Sequence, residues 1–274
     1  MNNSYYTSWD SRAHAKAFNV WATISLKQLR KYYESFNEIK LLLKNKASIN
    51  GKTLVEVGCA TGELYRYINH YHSQFVYYGF DISQVAIEQA KQKYQHGKFF
   101  ITDTKLSNLN DTLEEAPDVL FARDVVLHQT DPFDFLAKLI SIPDEVAILR
   151  IRTRDKGETV LDPEISCQWN YGTWVPYMVL NIDEVVEKIK NTVNFKSLYI
   201  FKSYRQLGGY NNRYLPKDCF YPETGTSETA LYIQLAKDGV SNPDIFTECR
   251  SDSNPKLTLI ERGIGLLKRQ ILEK

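Results

Sequence analysis

Leu54-Val-Glu-Val-Gly58-Cys-Ala-Thr-Gly62-Glu-Leu64 is the stretch on which the reading of this 274-residue chain turns. Thr53 to Val57 has the form of a short buried strand, followed by a glycine-containing turn and a helix starting near Gly62. Glycines at 58 and 62 let the backbone bend sharply and leave no side chain between it and whatever lies across the turn. The N–H groups that open the next helix are then accessible to a small polar or anionic group.

Working outward, Phe75 to Phe80 reads as a second strand, ending in Gly79-Phe80-Asp81-Ile82-Ser83. A carboxylate at that strand end can accept both hydroxyls of a ribose, and Asp81 stands 23 residues beyond Gly58, close to the spacing of nucleotide-binding α/β units. The alternative is that Asp81, like Ser83, caps the helix expected from Gln84 to Tyr94. A dinucleotide turn would need glycine at 58, 60 and 63, where the chain has Gly58, Ala60 and Glu63. A carboxylate at 63 would repel a pyrophosphate, which disfavours NAD and FAD.

A third strand, Lys98 to Thr102, runs into Asp103-Thr104, and a fourth, Asp118 to Ala122, into Arg123-Asp124-Val125-Val126-Leu127-His128-Gln129-Thr130-Asp131-Pro132. If Asp124 to Gln129 is helical, Asp124 and His128 share one face, and a carboxylate beside an imidazole orients the ring and raises its basicity. Capping by Asp124 and simple packing of His128 is the other reading. Asp131-Pro132 reads as the cap and first position of a helix to Ser141. A fifth strand, Glu145 to Thr153, carries Arg150 and Arg152, with Arg154 continuing the alternation. These guanidiniums would either hold an anionic or hydroxyl-rich substrate or pair internally with Asp155, Glu158 or Asp162.

From Lys156 to Asn181 the connection is long and aromatic, which suggests a substrate cover with Trp174 and Tyr177 as stacking surfaces. Asn181 caps the next helix, and strands Ser197 to Tyr204 and Thr229 to Ala236 follow. Between them Gly208 to Tyr214, with Tyr210 and Arg213, forms a second candidate cover. Before the glycine turn, apolar positions from Ala13 to Leu43 recur at helical spacing, and Tyr5, Tyr6, Trp9 and Arg12 are placed to line a pocket or to pack the start of the chain. After the last strand, Asp238 to Pro255 reads as irregular. A helix from about Lys256 then carries the stripe Leu257, Ile260, Ile264, Leu267 and Ile271 and could meet the domain, a second copy or a partner enzyme.

A net charge of +1 argues against a partner that demands a broad basic face, so small molecules become the expected ligands rather than nucleic acid. Cys59, Cys167, Cys219 and Cys249 lack C-x-x-C spacing, which indicates neither a zinc site nor a redox pair. With no export signal and no run of membrane-spanning length, a cytoplasmic protein without membrane attachment is expected.

The form Glu56-x-Gly58-x-Ala60-x-Gly62, taken with Asp81 and the Arg123 segment, resembles the class I S-adenosylmethionine (SAM) dependent methyltransferases over about residues 50 to 237. The resemblance implies an α/β, Rossmann-like, seven-stranded and mostly parallel sheet with an antiparallel last strand and helices on both faces. With the residue patterns on either side, the expected organisation is a helical cap at 1–49, the methyltransferase domain at 50–237 with covers at 155–181 and 205–228, and an extension at 238–274. Glu56, Gly58, Cys59, Ala60 and Gly62 would surround the methionine and ribose end of SAM. Asp81 would take the ribose hydroxyls, Ile82, Asp103 and Thr104 the adenine, and Arg123 would stand beside the cofactor. His128 becomes the candidate base with Asp124 orienting it, and Arg152, Arg154, Trp174, Tyr177, Tyr210 and Arg213 the candidate substrate residues. The resemblance points to a superfamily and not to a substrate; with the arginines of the fifth strand, the expected reaction is O-methylation of a small polar or anionic metabolite such as a sugar, a nucleotide-linked sugar or a phosphate derivative, without a metal. N-methylation of a small amine, or SAM binding without catalysis, are the alternatives.

Overall fold

The computed structural model of the chain describes residues 5–45, 51–170, 172–204 and 213–249. The apolar periodicity before the glycine turn becomes three helices, α1 (Arg12–Thr23), α2 (Leu26–Tyr33) and α3 (Asn37–Lys44), rather than one. Ser25 breaks the run: its hydroxyl accepts from the Gln28 N–H while the Gln28 side chain reaches back to the Ser25 N–H, a reciprocal cap that starts α2 afresh. Extended Phe36 then separates α2 from α3.

β1 (Thr53–Val57) lies mid-sheet, in parallel with β2 (Val76–Asp81) on one side and β4 (Val119–Arg123) on the other. β3 (Lys98–Ile101) extends the sheet past β2, and β5 (Val146–Arg154) past β4. Beyond β5, β11 (Ser227–Leu235) runs antiparallel between it and β9 (Phe195–Ser203). The order β3-β2-β1-β4-β5-β11-β9 is the expected seven strands with one reversed. Two strands add to them. β8 (Leu180–Asn181) pairs with the end of β5, and β12 (Asp244–Cys249) lies parallel to β9 at the outer edge. β12 falls within the segment read as irregular. All six of its residues are exposed, so no buried alternation marked it, and ladder bonds with a Tyr199–Phe246 ring stack at 4.8 Å hold it.

Helices α4 (Glu63–Tyr71), α5 (Gln84–Lys93), α6 (Leu109–Thr112), α7 (Pro132–Ile140) and α8 (Ile182–Thr192) complete the α-helices of the described residues. Ser83, Asp131 and Asn181 cap α5, α7 and α8 as expected, each side chain accepting from backbone N–H groups of the first turn. Because successive strand residues face opposite ways, Val55, Phe80 and Leu149 join the core under α7 and α8. Leu54, Phe121 and Ile148 join the one under α3 and α4. The long connection after β5 is not a plain loop: β6 (Cys167–Asn170) and β7 (Thr173–Pro176) form a hairpin, with β10 (Arg213–Tyr214) beside β6.

Candidate functional site

The turn after β1 and the acid after β2 face each other. Gly58 has φ +82, and a Cβ there would lie 2.3 Å from Val125 Cγ1, so the position needs glycine for both conformation and space. The Gly58 and Cys59 N–H groups donate to the Phe80 carbonyl at 2.8 and 3.1 Å, tying the turn to the end of β2. Ala60 follows in the left-handed region, and its N–H donates to Asp81 Oδ2 at 2.8 Å, while the Ser83 N–H donates to Oδ1 at 2.9 Å. Ala60, Leu106 and Asp124 are the non-glycine residues with positive φ among those described, and all three line one cavity of about 340 Å³ at the carboxyl ends of the strands.

At one end the cavity is bounded by Glu56, Gly58, Cys59, Ala60, Glu63, Asp81, Ile82, Asp103 and Thr104. Gly62 is not in its wall; the space beside Gly62 is filled by Phe99 and Tyr94. Burial pushes the Glu56 carboxyl up to about 8, partly opposed by a hydrogen bond from the Tyr77 hydroxyl and by the charge of Arg123. Burial likewise raises Asp81 against the N–H groups it accepts. Glu63 takes the Thr61 hydroxyl at 2.7 Å and Lys93 at 3.2 Å. A pyrophosphate here would meet three buried acids and, among the described residues of this end, no cation but Lys93, whereas an ammonium group would favour the ionised form of Glu56. Thr102 also lines this end, and its hydroxyl is buried without a hydrogen-bond partner among the described residues. Asp103 reaches the wall, but its carboxylate accepts the Lys105 and Ser107 N–H groups at 2.9 Å each and so serves the following turn.

At the other end stand Arg123, Asp124, Val125, His128, Gln129, Arg150 and Asn170, with Tyr6 against Gln129 and Trp9 against His128, while His14, Tyr32 and Tyr33 complete the N-terminal lining and His14 feels the charge of Asp81. The expected helix carrying Asp124 and His128 on one face does not form. Val126–His128 is a single 3-10 turn, and Asp124 is left-handed at φ 56 just before it. Its carboxylate bonds Arg150 and Arg152, the latter at 2.8 Å. Burial alone would raise the Asp124 carboxyl, but these two guanidiniums outweigh it and hold the group well below the carboxylate range. His128 Nδ1 instead lies 2.8 Å from the Pro176 carbonyl, and burial lowers the ring to about 4.

The arginines expected to meet an anion are committed to internal partners. Glu38 of α3, 1% exposed, meets Arg123 at 2.8 Å and Arg150 at 3.3 Å, with the Phe36 ring against both guanidiniums. Glu228 takes Arg152 at 3.2 Å, which completes a chain of three cations and three carboxylates. Arg154 bonds Asp218 and the Lys156 and Glu158 carbonyls, with neither Asp155 nor Asp162 as its partner in these bonds; Asp155 holds Lys202. Trp174 pairs across the hairpin with Trp169 and touches Tyr214, outside the cavity wall. Tyr177 also lies outside the wall: its hydroxyl accepts from Arg152 Nε at 3.2 Å, and Arg213 lies over its ring at 4.4 Å. Tyr210 and the helix read from Lys256 lie outside the described residues. Glu38, Glu228, Thr102 and Asn170 were not singled out from sequence. A lone acid in an amphipathic helix or strand reads as a solvated face, and only the fold brings these four to the site.

A sheet in this order, with a glycine turn opposite an acid at the ends of adjacent parallel strands, defines the class I methyltransferase architecture. Residues 55–142 match the family described as "Methyltransferase domain". That match spans the strand-turn-acid unit and the two strands that follow it, within a sheet whose fold is that of SAM-dependent methyltransferases. The fold is shared by the O-methyltransferase from a trans-AT PKS multienzyme of Brevibacillus brevis, solved with S-adenosyl-L-homocysteine. The two are 14% identical with a TM-score of 0.54, over 80% of this chain and 79% of that one. Magnesium protoporphyrin IX methyltransferase from Synechocystis PCC 6803 aligns at 16% identity and TM-score 0.49, over 84% of this chain and 94% of that one. No curated protein matches the chain in sequence. Among the described residues no helix is long and apolar enough to cross a membrane, and no group of metal-ligand side chains gathers.

Proposed function

We propose that the chain methylates a hydroxyl of a small, neutral, polar metabolite such as a sugar, using SAM. One observation carries this reading: the end holding Asp81 and the glycine turn is continuous with the end holding His128, in a single cavity. Glu56 would take the cofactor's ammonium, Asp81 its ribose, and Ile82 with Thr102 and Thr104 its base. When bound, SAM would supply an electrophilic methyl carbon to the acceptor oxygen, whose proton a protein base would take.

The protein's task is then to align the acceptor and exclude water, which supplies ~7–11 kcal/mol of the barrier. His128 is the base in this scheme; with its ring lowered to about 4 it stays unprotonated but weakly basic, so its contribution should fall at the low end of the usual ~10²–10⁴-fold. A phosphate or carboxylate substrate is disfavoured, because binding it through Arg150 or Arg152 would break buried ion pairs. Tyr6, Gln129 and Asn170 are neutral hydrogen-bonding groups at the acceptor end, which suits hydroxyls. We take residues 1–49 as a cap and extend the catalytic unit to Cys249, since β12 belongs to its sheet. The described cysteines are free thiols, which supports a cytoplasmic setting. Calorimetry with SAM, S-adenosylhomocysteine and NAD tests the cofactor: heat with the first two is expected, and heat with NAD alone would end the reading.

A further inference from the structure

We propose that the β6–β7 hairpin fixes the tautomer of His128, so that Nδ1–H points at the Pro176 carbonyl and the bare Nε2 is left for a hydrogen-bond donor on the methyl acceptor. The inference rests on the methyltransferase reading and narrows its acceptor to a hydroxyl or amine, excluding carboxylate and phosphate oxygens that bring no proton.

A carbonyl oxygen only accepts, so Nδ1 at 2.8 Å from the Pro176 carbonyl must carry the hydrogen. The carbonyl is held in place by bonds on the residues that follow it. The Tyr177 N–H donates to the Ser166 carbonyl at 2.9 Å, the Ser166 hydroxyl to the Tyr177 carbonyl at 2.7 Å, and the Met178 N–H to the Leu127 carbonyl at 2.8 Å. The last bond ties the strand leaving the hairpin to the residue preceding His128. The Tyr177 and Trp9 rings lie against the imidazole with centroids at 6.0 and 4.7 Å, which resists a ring flip. The groups whose charge reaches the ring are Asp124, Arg152 and Arg213, and Asp124 is spent on Arg150 and Arg152. With the ring lowered to about 4 it is neutral at pH 7, carrying one N–H and one lone pair. Since His128 lines the cavity, Nε2 is the nitrogen that can meet a ligand. Tyr177 and Ser166 are therefore positioning residues for His128.

The full chain labelled with ¹⁵N-histidine, with His128 assigned by its loss in His128→Gln, reads the tautomer directly by NMR and needs no substrate. A protonated Nδ1 and a bare Nε2, unchanged from pH 8 to pH 6, are expected. An Nε2–H form, or a ring that titrates in that range, overturns the proposal. Ser166→Ala and Tyr177→Ala should shift the ring nitrogens toward a mixture of tautomers, while Tyr177→Phe, which keeps the ring, should not; unchanged shifts in both alanine variants remove the hairpin from the account. If Tyr177→Ala fails to fold, the wild-type tautomer and Ser166→Ala still decide. Calorimetry with S-adenosylhomocysteine on the same samples separates this outcome from failure of the methyltransferase reading. Label from methyl-labelled SAM appearing on a carboxylate or phosphate oxygen of any acceptor would also overturn the proposal.

Discussion

The two ends of the cavity are built by different means. At the Asp81 end the shape comes from backbone: a left-handed turn, N–H groups bonded to one carboxylate, and acids that all fall between residues 56 and 104. At the His128 end it comes from side-chain charge gathered from residues 38, 123, 124, 150, 152 and 228. A backbone-made site is local in sequence and accommodates a fixed ligand part, whereas a charge-balanced wall depends on the whole fold and offers a ligand paired charges rather than a net one.

The sharpest way to break this contrast is Glu38→Ala, which leaves Arg123 and Arg150 short of a buried partner. Its cost should be ~3–5 kcal/mol of stability, read as a fall in melting temperature. A change within error would mean the wall balances its charge elsewhere. Glu56 should come next. Its folded carboxyl is raised to about 8 from an ordinary 4.5, so the ligand-free fold holds a proton that the unfolded chain releases. Stability on this account is full below about 4.5 and lost as pH rises through 8, by up to a few kcal/mol, on the order expected from linkage. Glu56→Gln should flatten that slope in melting experiments, and binding of S-adenosylhomocysteine to the wild type at pH 7 should release a proton, seen by calorimetry in buffers of different ionisation heat. Asp81→Ala should weaken that ligand by ~10–100-fold, the equivalent of ~1.5–3 kcal/mol for a charged hydrogen-bond partner, and an unchanged dissociation constant would separate the acid from the cofactor. The smallest effect belongs to Trp174→Ala. Its ring lies outside the cavity wall, so turnover should change by less than about twofold, in line with a surface substitution.

What could be read from the residues follows the same division. The strand-turn-acid unit was legible because Gly58, Gly62 and Asp81 carry their meaning in spacing, and Ser83, Asp131 and Asn181 marked three helix starts within a residue. The partners of Arg150, Arg152 and Arg154 were not, because ion pairing has no periodicity: nearby Asp155, Glu158 and Asp162 were the sequence candidates, of which Glu158 meets Arg154 through its carbonyl, while Glu38, Asp124, Glu228 and Asp218 are the carboxylate partners. The Asp124 and His128 spacing misled for a related reason. An i, i+4 pair meets only on an α-helix, and the stretch ends its strand with a left-handed residue and a single tight turn. The hairpin was hidden inside an aromatic connection whose strands are four residues each.

The outermost strand has a consequence of a different kind. One column of amides and carbonyls on β12 has no ladder partner among the described residues, beside exposed Ile245 and Phe246. Such a rim is a template on which a neighbouring molecule could lengthen the sheet. Asp244 and Glu248 bracket that apolar pair, so two molecules sliding rim to rim would crowd negative charge into a narrow seam. Neutralising both acids should turn a well-behaved protein into a sticky one long before its fold weakens.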